Sequence, residues 1–251
     1  ENIEAALASR YEIDEQHSEG FTLNNPAGLF ETQWADKGAF LVQDHSSQQI
    51  NRLIQLLPKM CVLDACASPG GKLFHMEWRF EKEIDQLVAL EISEMRLERL
   101  KANKKKYRSR AQLVRMDAAC PALTTGFDLI LVDAPCSATG TIQKHPELKW
   151  QRCEADILQN QQKQLAILNG LREVVKVNGY LLYVTCSLEK EENQIVIQKF
   201  LERQSHRYSL IPFSPAQVDE SNLTPDGFYQ CLPQESTMGL FAALLQRTAE
   251  K

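Results

Sequence analysis

The sequence predicts an α/β fold in which a mostly parallel sheet carries helices on both faces. Short apolar runs alternate with amphipathic stretches from residue 49 onward, the pattern of repeated βαβ units. Several of those runs are continuous rather than alternating, as strands covered on both faces must be. No repeat, low-complexity tract or Gly/Ser linker interrupts the chain after residue 40, which favours one compact unit from there on.

In chain order, ENIEAALASRYEI predicts a short helix, and Asn24, Asn25, Pro26 and Gly28 predict a turn. QINRLIQLL predicts a helix and MCVLDAC a strand that runs into the turn Pro69-Gly70-Gly71 and a further helix. QLVALEI is the next strand, followed by a charged helix, then the strands AQLVRMD and FDLILVDAP. The long helix includes ILQNQQKQLAILNGLREVVKV, the pair Asn178-Gly179 turns, and YLLYVTCS is a strand. DGFYQCLP and GLFAALLQR predict a late antiparallel hairpin.

Composition narrows the class. The 251 residues are 43% hydrophobic and 24% charged, enough for one large core and a small appendage. No apolar run approaches the roughly 20 residues that span a bilayer, and the start has neither a basic n-region nor an apolar h-region, so the chain reads as cytoplasmic, with no membrane partner. It lacks an initiating Met and reads as a piece of a longer protein. Seven scattered cysteines without a CxxC pair suggest reduced thiols and no metal site. The net charge of −5 opposes nonspecific phosphate binding. Against it stands RLERLKANKKKYRSR (96–110), with eight Lys or Arg and one Glu: a nucleic-acid contact or a solvated helix face.

At 62–72, VLDACASPGGK runs from a buried strand through a glycine turn into a helix, where an open α/β sheet receives a ligand. It is neither the GxGxxG fingerprint nor the GxxxxGK[ST] loop, so a nucleoside without a pyrophosphate fits better. The expected cofactor contacts are Cys66, Ala67, Ser68, Pro69, Gly70, Gly71 and Lys72. Glu91 closes the second strand, placed to accept hydrogen bonds from both ribose hydroxyls, and Asp117 closes the third, placed to meet an adenine edge. Taken alone, Glu91 reads as a strand-end acid, Asp117 as a helix N-cap and Lys72 as a solvated helix-start lysine. Asp64, Glu91, Asp117 and Asp133 together fall at or near the ends of four successive strands, which is harder to read as surface decoration. Cys136 follows a proline after the fourth strand and Cys186 ends the fifth. Two thiols therefore converge on the sheet edge that carries the carboxylates, although a cysteine alone is more often a buried small hydrophobe.

VLDACASPGGK, FDLILVDAPCSATGTI, HPELKW and YVTCSLEKEEN together resemble the bacterial RsmB/Sun family of 16S ribosomal RNA cytosine-5 methyltransferases. The resemblance covers residues 25 to 251, including GAFLVQDHSSQ (38–48) and DGFYQ (226–230). The proline-cysteine and threonine-cysteine motifs in this order are highly specific to RNA cytosine-5 methyltransferases. Ser68 stands where the family usually has Ala, Leu73 where it usually has Thr, and Glu91 where Asp is commoner.

The resemblance implies a Rossmann-like class I S-adenosylmethionine-dependent methyltransferase fold with a seven-stranded, mostly parallel sheet. It implies S-adenosylmethionine as cofactor, bound also by Asp133, with small-subunit ribosomal RNA as partner and a monomeric chain. It makes Cys186 the thiolate that adds to cytosine carbon 6 and Cys136 the residue that assists release. Asp133 would lie between cofactor and base, and His145 and Pro146 would shape a loop beside the substrate. Complete members carry an N-terminal helical RNA-binding domain. Residues 1–30 would be the remnant of a small subdomain lying between that domain and the catalytic domain, 31–251. The rivals are a DNA cytosine-5 methyltransferase, against which Thr185-Cys186 speaks, an enzyme acting on tRNA, and a noncatalytic RNA-binding or assembly factor. A nicotinamide oxidoreductase would need the pyrophosphate fingerprint that is missing.

Overall fold

A computed structural model describes residues 3–17, 20–124, 126–234 and 237–249. The elements in order are α1 (Ile3–Ala8), β1 (Glu12–His17), β2 (Gly20–Asn24), α2 (Gln33–Asp36), α3 (His45–Gln49), β3 (Met60–Asp64), α4 (Gly71–Arg79), β4 (Ile84–Glu91) and α5 (Glu94–Tyr107). They continue with β5 (Gln112–Arg115), β6 (Phe127–Asp133), α6 (Leu148–Gln151), α7 (Glu154–Leu171), β7 (Val175–Thr185), α8 (Gln194–Gln204), β8 (Tyr208–Ile211), β9 (Tyr229–Cys231) and β10 (Leu240–Arg247).

The central sheet runs β5-β4-β3-β6-β7-β10-β8, with the short β9 added against the start of β10. The pairs from β5 to β7 are parallel, and β10 is antiparallel to both β7 and β8. From β3 the chain winds outward to β4 and β5, then returns to place β6 on the other side of β3. That reversal leaves a crevice at the carboxyl ends of β3 and β6, where open α/β sheets bind ligands. Asp64 and Asp133 are the terminal residues of those two strands.

Each face of the sheet buries its own apolar layer. One is built around Val62, Leu73, Phe74, Leu100, Leu129 and Leu182, the other around Leu63, Ile130, Leu168, Tyr183, Phe200 and Phe241. Alternate residues of β3 and β6 feed opposite layers, as the period of a strand dictates. Helix α5 is fixed at both ends: the Ser93 side chain caps it by accepting from the Arg96 N–H, and lysines fill its last turn. Leu7, Tyr11 and Leu29 form a third, small cluster together with Phe21, Leu23, Trp34 and Phe40. No helix among the described residues is long and apolar enough to cross a membrane.

Local periodicity mislaid several boundaries. Residues 1–13 read as helical, but α1 stops at Ala8 and Glu12 opens a strand in which Ile13 opposes Leu23 of β2; Glu1 and Asn2 lie outside the described residues. QINRLIQLL is not one α-helix. Residues 50–52 form a 3₁₀ turn and the chain then runs irregularly to Pro58, because a helix is disfavoured toward a proline and a 3₁₀ turn already buries Ile50 and Leu53. The long helix stops at Leu171 rather than continuing through VVKV: Val175 opens β7 and pairs with Phe127. Asn178, with φ of 64°, and Gly179 form an irregularity inside β7 instead of a turn before it. β-Branched valines and a waiting sheet edge override the helical period.

Candidate active site

The chain crosses from β3 to α4 through a tight turn. Asp64 ends β3 and accepts the Cys66 N–H at 3.2 Å, and the Ala67 N–H bonds to the Leu90 carbonyl of β4. Gly70 caps α4 with φ of 106°. A Cβ there would lie 2.2 Å from the Phe74 ring, so conformation and packing both demand glycine. Gly71, by contrast, faces space: a Cβ on it would first meet Gln43 Nε2, 4.0 Å away.

The carboxylates occupy different environments. Asp64 and Glu91 are buried. Glu91 accepts the Ser93 N–H at 2.8 Å and pairs with Arg96 at 2.9 Å. Asp117 lies two residues beyond the end of β5, is exposed, and accepts the Ala119 N–H at 2.8 Å, so one oxygen performs the capping that its sequence position allowed. Burial, reinforced by the charges of Asp133 and Glu91, pushes the Asp64 carboxyl up to about 7. Burial and the same acids push the Cys66 thiol far up, leaving it protonated and a poor nucleophile.

Lys72 is not a solvated helix-start lysine. Its side chain is only 12% exposed and its Nζ donates to Asp133 Oδ2 at 2.7 Å. Burial lowers its proton affinity, but the charge and hydrogen bond of Asp133 outweigh burial and hold the ammonium charged. Lys72 is also close enough to Cys186 for their charges to interact.

The two thiols meet. Cys136 Sγ and Cys186 Sγ are 3.4 Å apart. A hydrogen bond from Cys136 lowers the Cys186 thiol against the opposing effects of burial and the Asp133 charge, and Lys72 lowers it further. Donating that bond, together with burial, raises Cys136 well above the ordinary thiol range. Of the pair, Cys186 gives up its proton more readily and Cys136 holds its own.

Beneath the thiols lies Glu192, fully buried in the run SLEKEEN. Its carboxylate accepts the Ser137 N–H at 2.8 Å, the Gln164 amide at 3.4 Å, and the hydroxyls of both Ser137 and Ser187. These serines follow Cys136 and Cys186 directly, so one carboxylate ties the two thiol-bearing loops together. The Gly140 N–H donates to the Cys186 carbonyl at 2.9 Å, an approach that a Cβ, 2.8 Å from that same oxygen, would block. Glu192, Ser137 and Ser187 were not foreseen from sequence, because an acid within a charged run reads as solvated.

The donor set fits S-adenosylmethionine, a cation with ribose and adenine groups. Acids line the strand ends, Gly71 leaves room, and the buried Gln43 Nε2 beside it has no hydrogen-bond partner among the described residues, leaving a donor for a ligand acceptor.

Comparison with known proteins agrees. Residues 52–246 match the family model described as 16S rRNA methyltransferase RsmB/F. Ribosomal RNA small subunit methyltransferase B of Proteus mirabilis is 34% identical over 238 residues, 93% of this chain and 52% of that protein. The protein of the same name from Photorhabdus laumondii is 42% identical over 174 residues, 68% of this chain and 40% of that protein. The chain thus spans about half the length of the curated relatives it matches. Among solved structures, a methyltransferase homolog protein from Pyrococcus horikoshii superposes with a TM-score of 0.80 at 27% identity, covering 98% of this chain and 81% of that one. NSun6 from the same organism, solved with SFG, gives 0.76 at 26% identity, covering 92% and 60%. On the match across most of its length, the chain belongs to the RsmB/F family of 16S rRNA methyltransferases, S-adenosylmethionine-dependent proteins of the Rossmann-like class I fold.

Proposed function

We propose that this chain is the catalytic part of an RNA (cytosine-5)-methyltransferase that acts on 16S ribosomal RNA through a covalent Cys186 adduct. The observation that carries the reading is the pair of thiols at 3.4 Å beside the Lys72–Asp133 ion pair. Carbon 5 of cytosine is too weak a nucleophile to attack a methyl sulfonium unaided. The Cys186 thiolate adds to carbon 6, forming the S–C6 bond and making carbon 5 enamine-like. Bound S-adenosylmethionine supplies the electrophilic methyl group. Loss of the carbon 5 proton to a base then expels Cys186 as thiolate, and the Cys136 S–H stabilises the departing sulfur by hydrogen bonding.

Residues 66–72, with Glu91, Asp117 and Asp133, hold the cofactor. Lys72 occupies Asp133 Oδ2, leaving Oδ1 to hydrogen-bond the cytosine ring and favour protonation of its ring nitrogen. The base must leave any stack to reach this crevice, so unpaired nucleotides are the substrates. Residues 1–30 are read as part of a small subdomain beside the catalytic domain, 31–251, and the protein as a cytoplasmic monomer. RNA containing 5-fluorocytosine tests the chemistry, because proton removal is blocked and the adduct persists. Wild type traps the RNA and Cys186→Ala does not, whereas Cys136→Ala accumulates a slowly released complex with ordinary RNA. An adduct that survives Cys186→Ala contradicts the assignment.

A further inference from the structure

The chemistry above gives Lys149, Trp150 and Arg152, in the segment 143–153, no role. Apart from Leu148, which is buried and roots it, every residue of the segment is exposed. Trp150, on the one-turn helix α6, is 84% exposed. The segment has no second large exposed apolar side chain; beside the indole stand the exposed cations Lys149 and Arg152. Glu147, its one acid, faces His145 at 3.3 Å.

The segment is also anchored to the thiols. Arg152 Nε donates to the Ser137 carbonyl at 2.9 Å, one residue past Cys136. Lys144 pairs with Asp44, which also accepts the Met238 N–H at 3.3 Å. A protein surface seeking an apolar contact would find one indole among charges. A nucleotide brings an apolar face and an anion together and matches both features.

We propose that Trp150 is a stacking platform for an unpaired RNA base next to the target cytosine, with Lys149 and Arg152 meeting the adjoining phosphates. This rests on the proposed RNA substrate. The test compares wild type, Trp150→Ala and Trp150→Phe in the full chain, using a short single-stranded RNA that contains cytosine. Binding is read by anisotropy of the labelled RNA, and methyl transfer by kcat and KM. Trp150→Ala is expected to raise the RNA Kd and KM by roughly 5- to 150-fold, with kcat at saturating RNA, cofactor binding and thermal melting unchanged, while Trp150→Phe retains most of the affinity. Wild-type RNA binding by Trp150→Ala overturns the stacking site and leaves the proposed function standing. Loss of self-association in that variant, with RNA binding unchanged, also overturns it and assigns the indole to a protein contact. A wild-type chain that neither binds nor methylates RNA overturns both proposals.

Discussion

The loops under the thiols and the segment 143–153 are neighbours, tied by a hydrogen bond from Arg152 to the Ser137 carbonyl, yet they are built on opposite principles. Around Cys136 and Cys186 the polar groups are buried and partnered: Glu192 gathers four donors, Tyr183 Oη donates to the Glu192 carbonyl at 2.6 Å, and Asn193 bridges to Thr185 and Ser187. The neighbouring segment exposes nearly everything it carries. Reacting groups must be held to within fractions of an ångström. Groups that meet a flexible polymer gain from remaining open to it.

If that division is right, the greatest damage comes from the buried side. Glu192→Ala strands the Ser137 N–H and two hydroxyls and frees the loops to separate. We expect methyl transfer to fall by about 100-fold and stability by about 2–4 kcal/mol. A loss of stability alone would make Glu192 merely structural, so the sharper readout is the pH profile of Cys186 alkylation. Its midpoint should rise toward that of an ordinary thiol as Cys136 loses its place, and an unmoved midpoint would break the comparison.

A second effect concerns Asp64, where the buried side holds a charge at a cost. The native carboxyl titrates at about 7 against an ordinary 3.8. The folded state therefore binds its proton more tightly than the unfolded state does. This contribution to stability is fully present below 3.8 and is lost as pH rises through about 7, in total up to about 4 kcal/mol. Thermal melting of the cofactor-free chain should show wild type losing stability across that window relative to Asp64→Asn. Parallel curves would show that Asp64 is not the strained group.

The same contrast explains what the sequence disclosed. The strands of the sheet were legible because apolar runs and strand-end acids are local signals, and Asp64, Glu91 and Asp133 each close one of those runs. Lys72 could be seen but not interpreted, since only the return of β6 beside β3 brings Asp133 to its ammonium. Glu192 was hidden for a related reason. Its burial depends on α7 and two loops closing over it, while its sequence neighbours Glu189, Lys190 and Glu191 look solvated. Trp150 stood in view in HPELKW, but its exposure was not legible, because a lone tryptophan in a sequence does not say whether it is inside or outside. The start of β7 failed because pairing with Phe127, remote in sequence, decided it.

The most direct test is transfer of labelled methyl from S-adenosylmethionine to unmodified small-subunit ribosomal RNA, with the product digested to nucleosides, for wild type and Cys186→Ala. The account predicts label in 5-methylcytidine with wild type and none with the variant. Label in a different nucleoside, or equal label in 5-methylcytidine from both proteins, would contradict it.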